Sequence, residues 1–209
     1  MRTLAVRNTL PAVALAVAAM LGCQKAKPEM AQGALRGVTL PNPVPRPDFT
    51  LTSTDGKPFS FRERTAGKVA LLFFGYTNCP DVCPVHTANV AAVLHTMSWE
   101  DRQRVMFVFV TTDPARDTLV ALRKWLDHFD SSFVGLRGTV DQVNRAQQTL
   151  SLPPVIADPK AADGSYGVSH AAVVFAFEPD DSARVLYPFG IRQEDWANDL
   201  PILLKRSHK

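Results

Sequence analysis

Cysteine is scarce in this chain: 209 residues hold three, alongside three tryptophans and three tyrosines. No apolar run reaches the roughly 18 residues that mark a membrane-spanning helix. There is no basic stripe, Arg-rich helix or nucleic-acid motif, and the formal net charge is only +3. These absences argue against nucleic acid as a partner. No internal repeat divides the chain, and its length suits one globular domain with accessory segments. A hydrophobic fraction of 46% and a charged fraction of 21% are ordinary for a folded soluble protein.

What is present begins with a targeting signal. Arg2 and Arg7 form a positive n-region, and residues 10–21 form an apolar h-region that ends in Gly22-Cys23. At about a dozen residues the run is too short to span a bilayer and reads as a signal peptide over residues 1–22. Gly22-Cys23 is similar to a bacterial lipobox, in which the cysteine is lipidated as the first mature residue. Ordinary cleavage nearby is the alternative. Without residues 1–22 the charges stand at 21 basic against 20 acidic. Residues 23–47 are proline-rich without sustained periodicity and read as a lipidated cysteine followed by a tether. An exported compartment permits disulfides. With Cys23 assigned to lipid, Cys79 and Cys83 have only each other as partners.

The folded domain is expected over residues 48–204, with a basic tail at 205–209. Residues 49–53 and 58–61 flank the turn signal Asp55-Gly56-Lys57, which predicts an N-terminal β-hairpin extension. The continuous apolar runs at 69–76 and 105–112 predict buried central strands. Helices are expected over 84–97, 117–130, 140–150 and 193–204, with strands at 133–136, 171–177 and 185–189. Alternating strands and helices followed by a hairpin and a helix predict an α/β fold with a mixed central sheet flanked by helices. The cysteines then fall at the C-terminal end of the first buried strand, where α/β proteins tend to place their sites. Trp99, Trp125 and the Phe-rich strands read as core.

The stretch Cys79-Pro80-Asp81-Val82-Cys83-Pro84 carries the chemistry. Pro84 suits the first position of a helix, which makes Cys83 the expected N-cap. A thiol there feels the positive end of the helix dipole, which favours the thiolate. The five-residue loop is compatible with a redox couple, a metal clasp or a structural disulfide. As a metal site, two thiolates underfill zinc, whereas two thiolates with an imidazole suit copper. Of the five histidines, His208 lies in the tail, and His95 and His128 lie on expected helices. His86 is close in sequence, but a first-turn side chain is expected to point sideways or to solvent. His170, in a glycine-containing loop at the entry to an apolar strand, has the better context. Asp113 before Pro114 is a natural helix N-cap, and Asp117 is placed to support the same turn.

Several segments in order resemble the Sco/SenC family of thioredoxin-fold proteins. They are "PDFTLTSTDGKPFSF", "VALLFFGYTNCPDVCP", "TTDPARDT", "YGVSHAAVVFAFEPD" and "LYPFG". The resemblance implies a thioredoxin-like fold and a copper-binding, membrane-tethered protein of the bacterial cell envelope. Such a protein delivers copper to the CuA-bearing subunit of cytochrome c oxidase, with other periplasmic copper chaperones or thiol reductants as further partners. Matching the motifs carries Cys79, Cys83 and His170 over as copper ligands. Ser169 stands where an acidic residue often precedes the histidine, and Asn78 where histidine is frequent. The rival reading is a thiol–disulfide oxidoreductase with Cys79 attacking and Cys83 resolving. A structural disulfide in a partner-binding protein is the third.

Overall fold

The computed structural model describes residues 34–206, so the expected signal peptide, Cys23 and His208 lie outside the described residues. The two apolar runs form β4 (Val69–Gly75) and β5 (Val105–Thr111), paired in parallel from Val69 opposite Val105 to Gly75 opposite Thr111. Between them run α2 (Val82–Thr96) and the short α3 (Trp99–Gln103). Next to β5 lies β6 (Val134–Arg137), also parallel, reached through α4 (Leu119–Asp127). After α5 (Val140–Gln148), β7 (Val173–Phe177) returns antiparallel on the far side of β4. It pairs in a hairpin with β8 (Ser182–Pro188), and α6 (Gln193–Arg206) follows. The expected hairpin is present as β2 (Thr50–Ser53) and β3 (Pro58–Ser60), with α1 (Phe61–Arg64) directly after it. The result is the mixed sheet flanked by helices that the sequence pattern predicts, in the thioredoxin-like form that the resemblance implies.

β4 is buried along its whole length because both faces of the sheet are covered. Successive side chains of a strand point to opposite faces. Val69, Leu71 and Phe73 therefore meet one core, built with Leu94, Leu126, Trp196 and Leu200 from α2, α4 and α6. Ala70, Leu72 and Phe74 meet the other, built with Phe61, Val143 and Ala146 from α1 and α5. A continuous apolar run, rather than an alternating one, is what two covered faces require.

Three expectations are corrected. The stretch 23–47, read as tether, contains an eight-residue strand, β1 (Val38–Pro45), paired antiparallel with β8, so the fold begins before residue 48. Its prolines disguise it; β1 is the edge of the eight-stranded sheet, where a residue without an N–H is tolerated. Trp99 is not core: it opens α3 at 77% exposure, because the helix after Ser98 turns its first residue outward. The helix expected from 117 begins at Leu119, capped by Thr118, so Asp113 caps no helix and Asp117 lies before the cap.

Candidate metal centre

The topology brings the site together. β7 is antiparallel to β4, with Phe73 opposite Val174, so the segment entering β7 lies beside the segment leaving β4. His170 and the cysteine loop meet at that end of the sheet. The Nε2 atom of His170 lies 3.7 Å from Cys79 Sγ and 3.6 Å from Cys83 Sγ. The three donor atoms all fall within 4.8 Å of one another, and both cysteines are free thiols. A set of two sulfurs and one imidazole nitrogen at this spacing fits a copper ion, which soft thiolates select.

The local geometry differs from the expectation at the helix start. Asp81, not Cys83, is the N-cap: its Oδ1 accepts the Val82 N–H at 2.7 Å, and its carbonyl accepts the Val85 N–H at 3.2 Å. Pro84 is the third helical residue rather than the first. That position is tolerated because the first four N–H groups of a helix have no partner within it. The helix terminus therefore acts on Cys79, whose sulfur accepts the Cys83 N–H at 3.4 Å. The Cys83 side-chain hydrogen bond, assisted by backbone N–H groups, pulls the Cys79 thiol down to about 5. Cys83 moves the opposite way: burial, then the hydrogen bond and charge of Cys79, push its thiol up. The pair holds one anionic sulfur and one protonated thiol.

Gly75, the last residue of β4, makes room for Cys83. A Cβ built on it would stand 2.5 Å from Cys83 Sγ and 3.0 Å from the Phe109 ring. A glycine ending an apolar strand marks this close approach in the sequence. Asp117 has a role that the capping expectation missed. Fully buried, it accepts the Thr77 N–H at 3.0 Å, the Thr77 hydroxyl at 2.5 Å and the Thr111 hydroxyl at 2.6 Å. Its carboxylate thus ties the loop bearing Cys79 to the end of β5. Asp113 instead accepts the Tyr166 hydroxyl at 3.0 Å and pairs with Arg116 Nε. The Arg116 guanidinium stacks on the Tyr166 ring at 3.6 Å and donates to the Tyr166 carbonyl at 3.1 Å.

These contacts fix the loop that carries His170. On its other side, Ser169 donates its N–H to the Ile156 carbonyl at 2.7 Å and accepts the Ile156 N–H on its hydroxyl at 2.8 Å. Serine here braces the loop through backbone. The His170 ring packs edge-on to Tyr76 at 5.6 Å and to Phe73 at 6.0 Å. His86 contradicts the expectation of a sideways or solvent-facing residue: it is buried, edge-on to Phe73 at 5.2 Å. Burial holds its imidazolium down at about 4, so the ring is neutral. His95 is a surface partner of Asp130 at 3.1 Å, and His128 is exposed at the C-cap of α4.

The SCO1/SenC family model matches residues 39–205. This chain belongs to that family. A protein of Stutzerimonas stutzeri, described provisionally as copper-binding, is 35% identical over 145 residues, 69% of this chain and 70% of its own. The mitochondrial SCO2 protein of Saccharomyces cerevisiae is 30% identical over 63% of this chain, which spans only 44% of that relative. Among solved structures, copper-bound ScoI of Bradyrhizobium japonicum is 30% identical with a TM-score of 0.66, over 74% of this chain and 96% of its own. Apo Sco1 of Thermus thermophilus is 31% identical with a TM-score of 0.67, over 85% and 99%. A SCO1/SenC family lipoprotein of Bacillus anthracis is 26% identical with a TM-score of 0.62, over 84% and 100%.

Proposed function

We propose that this protein is an envelope copper chaperone that holds copper on Cys79, Cys83 and His170 and delivers it to the CuA-bearing subunit of a cytochrome c oxidase. The observation that carries the reading is the convergence of two sulfurs and one imidazole nitrogen within 4.8 Å at one end of the sheet. The copper-bound relative among the solved structures supports the choice of metal. Lipidation at Cys23 is part of the proposal, supported by the lipobox-like Gly22-Cys23 and by the lipoprotein relative. Among the described residues no helix is long and apolar enough to cross a membrane. Transfer proceeds by ligand exchange. Cys79, already anionic, binds first, while the Cys83 proton leaves as the ion is taken up. His170 Nε2 supplies the third donor.

Anaerobic titration of the reduced protein with Cu(I) and Cu(II) tests this, with Cys83→Ser and His170→Ala alongside. One copper per chain is expected, with the Cu(II)–thiolate absorption lost in His170→Ala. A reduced wild-type protein that binds no copper rejects the chaperone. Mass analysis of the mature N-terminus tests the anchor, which an unmodified terminus elsewhere rejects.

One observation favours a second reading. A thiol lowered to about 5 beside a buried protonated thiol is the arrangement of an attacking and a resolving cysteine. A thiol–disulfide oxidoreductase would keep turning over a mixed disulfide in His170→Ala and stop when either cysteine is replaced.

A further inference from the structure

His86 stands outside the three-donor cluster, three residues beyond Cys83. Residues three apart on a helix are neighbours, with Cβ atoms about 5–6 Å apart, and both side chains here are buried. The His86 ring packs on Phe73 at 5.2 Å, and Phe73 also packs on His170 at 6.0 Å, so one aromatic ring touches both imidazoles. Phe189, itself 49% exposed, packs on His86 at 6.1 Å. Among the described residues neither ring nitrogen of His86 makes a hydrogen bond of normal geometry, and only the Ala172 backbone lies within weak hydrogen-bonding reach of the ring.

A polar group left so weakly bonded in a core carries a cost, which an apolar side chain of similar size avoids. Such groups call for an explanation. A buried neutral imidazole one turn from a thiol has the lone pair of a metal ligand. The cluster of Cys79, Cys83 and His170 supplies three donors, whereas Cu(II) favours a tetragonal set of four.

We propose that His86 is a fourth copper ligand used only by the oxidised ion. Its side chain changes rotamer to present a ring nitrogen beside Cys83 when the ion is Cu(II), and stays packed on Phe73 when the ion is Cu(I). The inference rests on the copper site proposed above and adds to it a donor that distinguishes the two oxidation states.

The test loads the full-length reduced chain, uniformly labelled with 15N-histidine, with Cu(II) under anaerobic conditions. Pulsed electron paramagnetic resonance then counts the coupled imidazoles. Two are expected in the wild type and one in His86→Gln and in His86→Phe, the latter keeping an aromatic ring against Phe73 and Phe189. Loss of an outer-shell partner already costs about 10–100-fold in metal affinity, so Cu(II) affinity should fall at least about tenfold in both variants. Cu(I) affinity should fall by less. A single imidazole in the wild type, two in either variant, or equal losses for both ions overturns the inference. A wild type that takes up no copper overturns the chaperone reading with it, whereas a one-imidazole spectrum overturns this inference alone.

Discussion

At Gly75 one hydrogen atom decides whether the site can form. Gly75→Ala places a Cβ against Cys83 Sγ and the Phe109 ring, both on well-packed elements. Overpacking of this kind costs about 1–3 kcal/mol. A lowered urea midpoint together with weaker Cu(I) binding is expected, and an unchanged midpoint would show that the sulfur moves aside freely. The two cysteines also set a pH dependence. Cys79 titrates in the fold at about 5 against an ordinary 9, so its contribution to stability grows as pH rises from 5 to 9 and is lost as pH falls through 5. Cys83 is shifted upward, so its contribution is present below the ordinary value and is lost as pH rises beyond it. Stability of the apo protein, referred to a Cys79→Ala/Cys83→Ala variant, should therefore peak near pH 9. Alkylation of Cys79 should reach half its maximal rate near pH 5, and Cys83→Ala, by removing the largest cause, should move that midpoint upward. The cysteine pair was legible because cysteine is rare, whereas His170 had only the better context among five histidines until the Sco/SenC resemblance singled it out. The sequence concealed which thiol the helix terminus serves, since Pro84 fits the third helical position as well as the first.

At the scale of elements, the site is a join between β4, β5 and the loop before β7. Asp117→Ala leaves the Thr77 N–H and two hydroxyls without their buried acceptor. A loss of about 1–3 kcal/mol is expected, with weaker copper binding because the Cys79 loop comes free of β5. A variant that unfolds like the wild type would rule out this tie. Arg116→Ala removes the stack on Tyr166 and the charged partner of Asp113, which keeps only the Tyr166 hydroxyl. Faster amide exchange over residues 156–170 should follow, while β4 and β5 stay protected; equal protection in both proteins would count against the brace. The central strands were legible because their apolar runs are continuous, as two covered faces require. The role of Asp117 was not. An aspartate near a helix start reads as a cap, and its partners Thr77 and Thr111 are 40 and 6 residues away. β1 was hidden for a different reason: its prolines mimic a linker, and only the partner strand β8 reveals the pairing.

For the whole molecule, Arg46 shows how the edge strand is locked to the rest. Its guanidinium is buried between the link from α1 to β4 and the turn from β7 to β8, donating to the carbonyls of Thr65 at 2.7 Å, Lys68 at 3.1 Å and Glu178 at 2.7 Å, and pairing with Asp181 at 2.9 Å. Its removal leaves three carbonyls without their donor, and a buried polar group left unpaired costs about 1–3 kcal/mol, while the half-exposed Asp181 keeps its contact with water. Arg46→Ala should therefore lower the urea midpoint more than any surface arginine does. The distance along the chain between the donors has a separate consequence. Cys79 and His170 are 91 residues apart and sit on opposite sides of the seam between β4 and β7. An ion held by both, as proposed above, would be a cross-link that closes a long loop, and the unfolded chain, left with two nearby thiols, would bind it far less well. At a free copper concentration 100 times the dissociation constant, such selectivity adds about 2.7 kcal/mol to folding. Melting temperature would thus become a readout of cargo: the ion would tie a loaded chain across the β4–β7 seam, and handing it over would release that tie.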